Sequence, residues 1–251
     1  MYNNPVVYMP TRQPYQPNYA GGLERIAYSA ATVTAPQANF IFSTQSWTPD
    51  YAKTNNYGSL GYVSGRSSVT YVTPAIFLKP SRTKSQFIKS AIKIEPFIRE
   101  TFQDIMGEPF SKDVEINVVN EVEMRNVNRN WHRGILGFAY NRLGFGTSEI
   151  FLLENDLDVL LLTAGHEIGH VTSFPVKSKI MEEAKAFAFE AAWVRSIFRR
   201  NIAGLARSIS FDAFNPADNG VHDVAFDFVR RKVFFGENPL SLFRKISNNE
   251  F

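Results

Sequence analysis

Residues 157–170 read LDVLLLTAGHEIGH, and the reading of this stretch organises the rest of the chain. Leu157, Leu160, Leu161 and Ala164 recur at three- and four-residue spacing, which predicts a helix over 157–172 with a buried stripe. Asn155 or Asp156 is placed to cap it. His166, Glu167 and His170 stand near its end, and the chain has only four histidines. Positions i and i+4 are separated by about 400° around a helix, so both imidazoles leave one face a turn apart. Histidines so placed can bind one zinc ion, and the glutamate after the first one is then within reach of a water without being a ligand.

A catalytic zinc usually takes three protein ligands. The metzincin extension needs a glycine and a histidine where this chain has Ser173 and Val176, so that class is excluded. Past His170, the stretch MEEAKAFAFE (181–190) opens a second helix, expected over 180–199 and capped by Ser178. The loop 173–179, with Pro175, lets this helix return antiparallel to the first and aim a carboxylate, Glu182 or Glu183, at the metal.

Upstream, a helical pattern runs from Phe87 to Met106, with Pro96 expected to kink or split it and Gly107 to end it. Val114, Ile116 and Val118 alternate as in a strand. GILGFAY (134–140) and SEIFLL (148–153) flank a glycine-containing loop and read as a β-hairpin. Further helices are expected over 221–234, stopped by Gly236, and over 239–247. The order of helix, strands, then helices makes an α+β fold, with a small antiparallel or mixed sheet packed on the motif helix and the glutamate helix.

The chain changes character near residue 80. Residues 1–80 hold 7 of the 51 charged residues, 8 of 13 prolines and 9 of 10 tyrosines, whereas 19 of 22 phenylalanines come later. Residues 1–80 therefore read as an N-terminal extension, a Pro/Tyr-rich arm followed by irregular β structure, and 81–251 as the catalytic domain. The basic stretch 79–84 between them reads as a cleavable linker, so the extension is either a pro-segment or an interaction arm for other proteins, including copies of this one. The absence of cysteine excludes disulfide frameworks, thiolate metal sites and cysteine nucleophiles. The net charge of +3 does not demand a nucleic-acid partner, and the lysines between 79 and 93 read as a solvated helix face. With no run of 18 apolar residues and no signal-peptide pattern, a cytoplasmic protein without a membrane span is expected.

On the hairpin, HEIGH and EEAKAFAFE, the chain resembles the gluzincins, zinc metallopeptidases with H-E-x-x-H on one helix and a glutamate ligand on the next. The likeness covers about residues 84–200 and is greatest to the small minigluzincin domains. The chain also resembles the Ste24-like and ImmA/IrrE-type peptidases, where the ligand lies in a Glu-x-x-Ala pattern, which Glu183 with Ala186 fits; the resemblance implies His166, His170 and Glu183 as ligands of one Zn2+, with Glu182 the alternative. It implies Glu167 as general base and a peptide or protein as substrate. Phe187 stands where many relatives have Asp or Asn, so support for the ligands must come from elsewhere. The resemblance further implies Ser148–Leu153 as a sheet edge for extended substrate, and His222 as an oxyanion-stabilising catalytic residue. The alternative for His222 is an ordinary first-turn residue beside Asp223. His132 reads as a surface histidine, and Tyr140 carries no assignable role. The alternative function is a catalytically silent scaffold of the same fold.

Overall fold

The computed structural model describes residues 77–211 and 219–251. The N-terminal arm and the β-leaning runs before residue 77 lie outside the described residues. The rest is α+β. Strand β1 (Phe87–Ile88) is followed by a 3-10 turn (Ala91–Lys93), helix α1 (Glu95–Met106), strand β2 (Val114–Val119) and helix α2 (Glu121–Val127). Strands β3 (Gly137–Tyr140), β4 (Ser148–Leu153) and β5 (Asn155–Asp156) lead into α3 (Leu157–Val171). Helices α4 (Lys179–Arg200), α5 (His222–Phe234) and α6 (Pro239–Ser247) complete the domain, with a 3-10 segment (Ile202–Arg207) after α4.

Two sequence expectations about local structure are corrected. Pro96 neither kinks nor splits a helix; it lies in the first turn of α1, where the missing amide proton would have had no partner. The apolar residues Phe87 and Ile88 before it form β1, which pairs antiparallel with β5. Gly107 does end α1, in the left-handed conformation (φ 77°) that glycine adopts without strain. Asp156 stands at the N-cap position of α3 as expected, but its side chain accepts no hydrogen bond from the first turn, and Asn155 Oδ1 accepts Asp156 N. Ser85 Oγ accepts the amide proton of Asp158 instead (3.0 Å) and donates to the Asp158 carboxylate (2.9 Å).

The stretch 79–84, read as a cleavable linker, is stitched to the domain. Arg82 pairs with the fully buried Asp158, Lys79 N donates to Ser208 O, and Ser210 N donates to Phe77 O. Phe77 and Leu78 are core residues.

The three-stranded sheet has the order β2-β4-β3, with β2 parallel and β3 antiparallel to β4. This corrects the expectation for Ser148–Leu153. β4 is central because β2 pairs along its whole length; β2 and β3 are the edge strands among the described residues, and β3 is the one whose Gly137 lies against Thr163 and Glu167 of α3. Leu153 N donates to Leu136 O (2.8 Å). By antiparallel alternation Phe138 and Tyr140 bond β4, while Gly137 and Ala139 turn their peptide groups outward. One sheet face (Ile150, Leu152) joins the main core with α3. The other (Phe138, Phe151) is covered by Met124, Trp131 and Ile135.

Helix α3 and the returning α4 form the centre of the domain. Trp193 Nε1 donates to Leu161 O (2.9 Å), His166 faces Glu190 and His170 faces Glu182, so the helices run antiparallel. They touch closely because α3 has no side chain at two points. A Cβ on Gly165 would lie 2.5 Å from Trp193 Cδ1, and one on Gly169 would lie 2.9 Å from Ala186 Cα.

Gly165→Ala is therefore expected to cost roughly 1–3 kcal/mol, as overpacking does in a filled core. Denaturant titration should show a lower midpoint at unchanged slope. An unchanged midpoint would show that the helices can part without penalty.

Candidate metal centre

His166 and Glu167 are buried at the middle of the α3–α4 contact, and His170 lies one turn on, partly covered. The i, i+4 spacing on α3 brings the two imidazoles to ring centroids 5.0 Å apart. Ser178 Oγ accepts from Met181 N and starts α4 as expected. The glycine contacts then bring the first turns of α4 against the end of α3. Glu183 Oε2 lies 3.4 Å from His166 Nε2 and 3.6 Å from His170 Nε2. Donors bound to one tetrahedral zinc at its usual bond lengths are separated by about 3.3–3.4 Å, so the spacing fits such an ion.

His166, His170 and Glu183 are the group among the described residues whose donor atoms all lie within 4.8 Å of one another and that can hold a metal ion. The chemistry of the surroundings agrees. His166 Nε2 is fully buried without a hydrogen-bond partner. Glu167, Glu183 and Glu190 are buried carboxyls, and the cation among them is Lys185, also buried. A divalent ion would offset the excess of negative charge, which is costly in a low-dielectric interior.

The Nδ1 side of each imidazole fixes its tautomer. His166 Nδ1 donates to Glu190 Oε2 (3.2 Å) and His170 Nδ1 donates to Glu182 Oε1 (2.9 Å). Each carboxylate can only accept, so each ring turns an unprotonated Nε2 towards Glu183 when neutral. Glu182, the alternative third ligand, thus stands behind His170, on Nδ1, rather than with the three donor atoms that could hold a metal. Its other oxygen accepts Val176 N (2.7 Å), and Lys185 Nζ lies 2.9 Å from Oε1 while donating to Phe174 O. Phe187 packs edge-on against His166 (4.7 Å), so the support missing at 187 comes from Glu182 and Glu190. Sequence reasoning left both unassigned in that role. Glu190 lies two turns beyond Glu183 on the same face of α4, and that spacing is its signal.

Burial opposes charge on both imidazoles, but the carboxylates prevail. Glu183 and Glu190 push His166 up to about 9, and Glu183 and Glu182 push His170 up to about 10. Glu183 itself is buried, yet the histidines hold it well below the usual carboxylate range. Burial pushes Glu167 up; its Oε1 has no hydrogen-bond partner.

Gly137 of the edge strand β3 passes directly over Glu167. A Cβ there would lie 2.7 Å from Thr163 Cγ2 and 3.2 Å from Glu167 Cγ, so only glycine lets β3 approach so closely. Asn141, just beyond β3, donates to His170 O (2.8 Å) and Ser173 O (2.7 Å), holding the strand along the end of α3.

His222 opens α5, is buried, and places Nε2 3.4 Å from Glu183 Oε2. It lies beside the three-residue group without belonging to it. Two other residues are not brought to the site. His132 is exposed, and Tyr140 lies on the far sheet face, its ring against Phe138 and Phe151 and its hydroxyl donating to Val127 O.

Comparison of the chain with protein-family models, with curated proteins and with solved structures finds no match. No helix among the described residues is long and apolar enough to cross a membrane.

Metal uptake requires neutral imidazoles, so zinc added to chelator-treated protein at pH 7 should release about two protons per ion. Affinity should climb with pH through about 9 and 10, where His166 and His170 lose their protons unaided. Calorimetry in buffers of different ionisation enthalpy reads both; binding without proton release would contradict the pairing. An unfolded imidazole titrates near ~6.5, below both folded values. In the chelated protein the His–Glu pairs therefore stabilise fully below that pH, and their contribution is lost as pH rises through about 9 and 10. Glu190→Gln and Glu182→Gln should each weaken zinc binding roughly 10–100-fold. Equilibrium competition with a chromogenic chelator measures this, and unchanged affinity would remove their supporting role.

Proposed function

We propose that the protein is a single-zinc metallopeptidase of the gluzincin type. The observation that carries this reading is the convergence of His166 Nε2, His170 Nε2 and Glu183 Oε2 at tetrahedral-edge distances, with a buried, partnerless Glu167 oxygen beside them. A zinc ion held there would polarise a carbonyl and acidify a water.

The chain's own residues supply the rest. Glu167, raised by burial, takes the proton of the attacking water and returns it to the departing amide nitrogen. His222 Nε2 faces the same space and is placed to hydrogen-bond the oxygen on which negative charge develops. The outward peptide groups of Gly137 and Ala139 offer the main-chain ladder for an extended substrate, in place of the one expected on 148–153. Because β3 lies over Glu167, a chain bound there would bring a scissile bond to the base.

Incubation of a diverse peptide mixture with the wild type and with Glu167→Gln, both checked for bound zinc, tests the reading by mass spectrometry. The wild type should cleave, and the variant should bind one equivalent of zinc yet lose roughly 10²–10⁴-fold in rate. Where the full chain is silent, a form starting at Phe77 separates latency from a scaffold. A start at Ser85 would discard Phe77, Leu78 and Arg82, which hold the domain together.

A further inference from the structure

The three histidines near Glu183 differ in what stands behind Nδ1. Behind His166 and His170 are carboxylates. Behind His222 is the side-chain amide of Asn219, 2.6 Å from Nδ1. The orientation of that amide is determined by its other contacts. Its oxygen accepts two backbone protons, from Val221 N (3.1 Å) and His222 N (2.9 Å), which cap the start of α5. A flipped amide would set its NH2 group against two N–H donors. The atom facing His222 is therefore Nδ2, which can only donate, and Nδ1 of His222 must accept.

A neutral imidazole that accepts at Nδ1 carries its proton on Nε2. His222 is 2% exposed, and its Nε2 is buried with no hydrogen-bond partner, directed at the space beside Glu183 Oε2 (3.4 Å). We propose that Asn219 is a positioning residue that locks His222 as an Nε2–H donor, keeping it out of the metal's ligand set and presenting its proton to the substrate oxygen. The opposite partners behind Nδ1 sort three similar imidazoles into two ligands and one donor. This rests on the metallopeptidase reading for its catalytic consequence, but the tautomer itself does not depend on that reading.

The test uses the full-length, 15N-histidine-labelled protein loaded with zinc or with 113Cd. Long-range 1H–15N spectra should show Nδ1 of His222 unprotonated and Nε2 protonated, the reverse of His166 and His170. Cadmium coupling should reach the Nε2 atoms of His166 and His170 and not that of His222. Asn219→Asp keeps the oxygen that caps α5 but replaces the donor by an acceptor, so Nδ1 of His222 should become protonated. With a cleaved peptide in hand, Asn219→Ala, which removes the donor and frees the tautomer of His222, should lose up to about a hundredfold in kcat, with KM within threefold and zinc stoichiometry unchanged. Protonated Nδ1 on His222 in the wild type, cadmium coupling to it, or an unchanged pattern in Asn219→Asp would each overturn the inference. If no peptide is ever cleaved, the spectra still decide the tautomer, so failure of the peptidase reading and failure of this one are distinguishable.

Discussion

Helices α3 and α4 meet where α3 itself carries no side chain, at Gly165 and Gly169, and the candidate site depends on that contact. Trp193 fills the space over Gly165 and is pinned by its bond to Leu161 O, while the backbone of Ala186 lies against Gly169. At this separation a glutamate side chain on one helix spans to two imidazoles on the other. Were the helices held apart by ordinary side chains, Glu183 could face the histidines only across a gap too wide for one ion. The same approach lets Glu182 and Glu190 reach Nδ1 of the two rings from the side. Packing, ligand geometry and tautomer therefore have one origin.

The electrostatics are poised by that geometry. Three fully buried carboxyls within one contact would be unfavourable on their own. Without a metal, protons on His166 and His170 balance them, and with a metal the ion does. Glu167 is the carboxyl that burial pushes upward, which distinguishes it from Glu183, whose charge the neighbouring histidines favour.

Much of this was legible in the sequence because it is local. The i, i+4 histidines, the Ser178 cap and the hairpin around 141–147 each follow from short-range spacing. The choice between Glu182 and Glu183 does not, since neighbouring residues on a helix differ by about 100° in direction. The place where α4 crosses α3 decides it, and that is a tertiary fact. The same holds for Ser148–Leu153: a strand's own residues do not show that a partner thirty residues upstream will pair along its far side. Helix α2 was missed although Asn120 and Glu123 form a reciprocal cap, because its seven residues carry too short a pattern to register. Asn219 and His222 escaped assignment to each other because their relation depends on which amide atom faces the ring.

X-ray absorption at the zinc edge, on full-length protein purified with and without added zinc, examines the central claim most directly. One equivalent of zinc should be bound, with two imidazole nitrogens and light oxygen donors at about 2.0–2.1 Å, and the imidazole scattering should fall in His166→Ala and His170→Ala. Zinc that binds substoichiometrically, or whose imidazole signal survives the loss of both histidines, would contradict a metal centre at this helix contact.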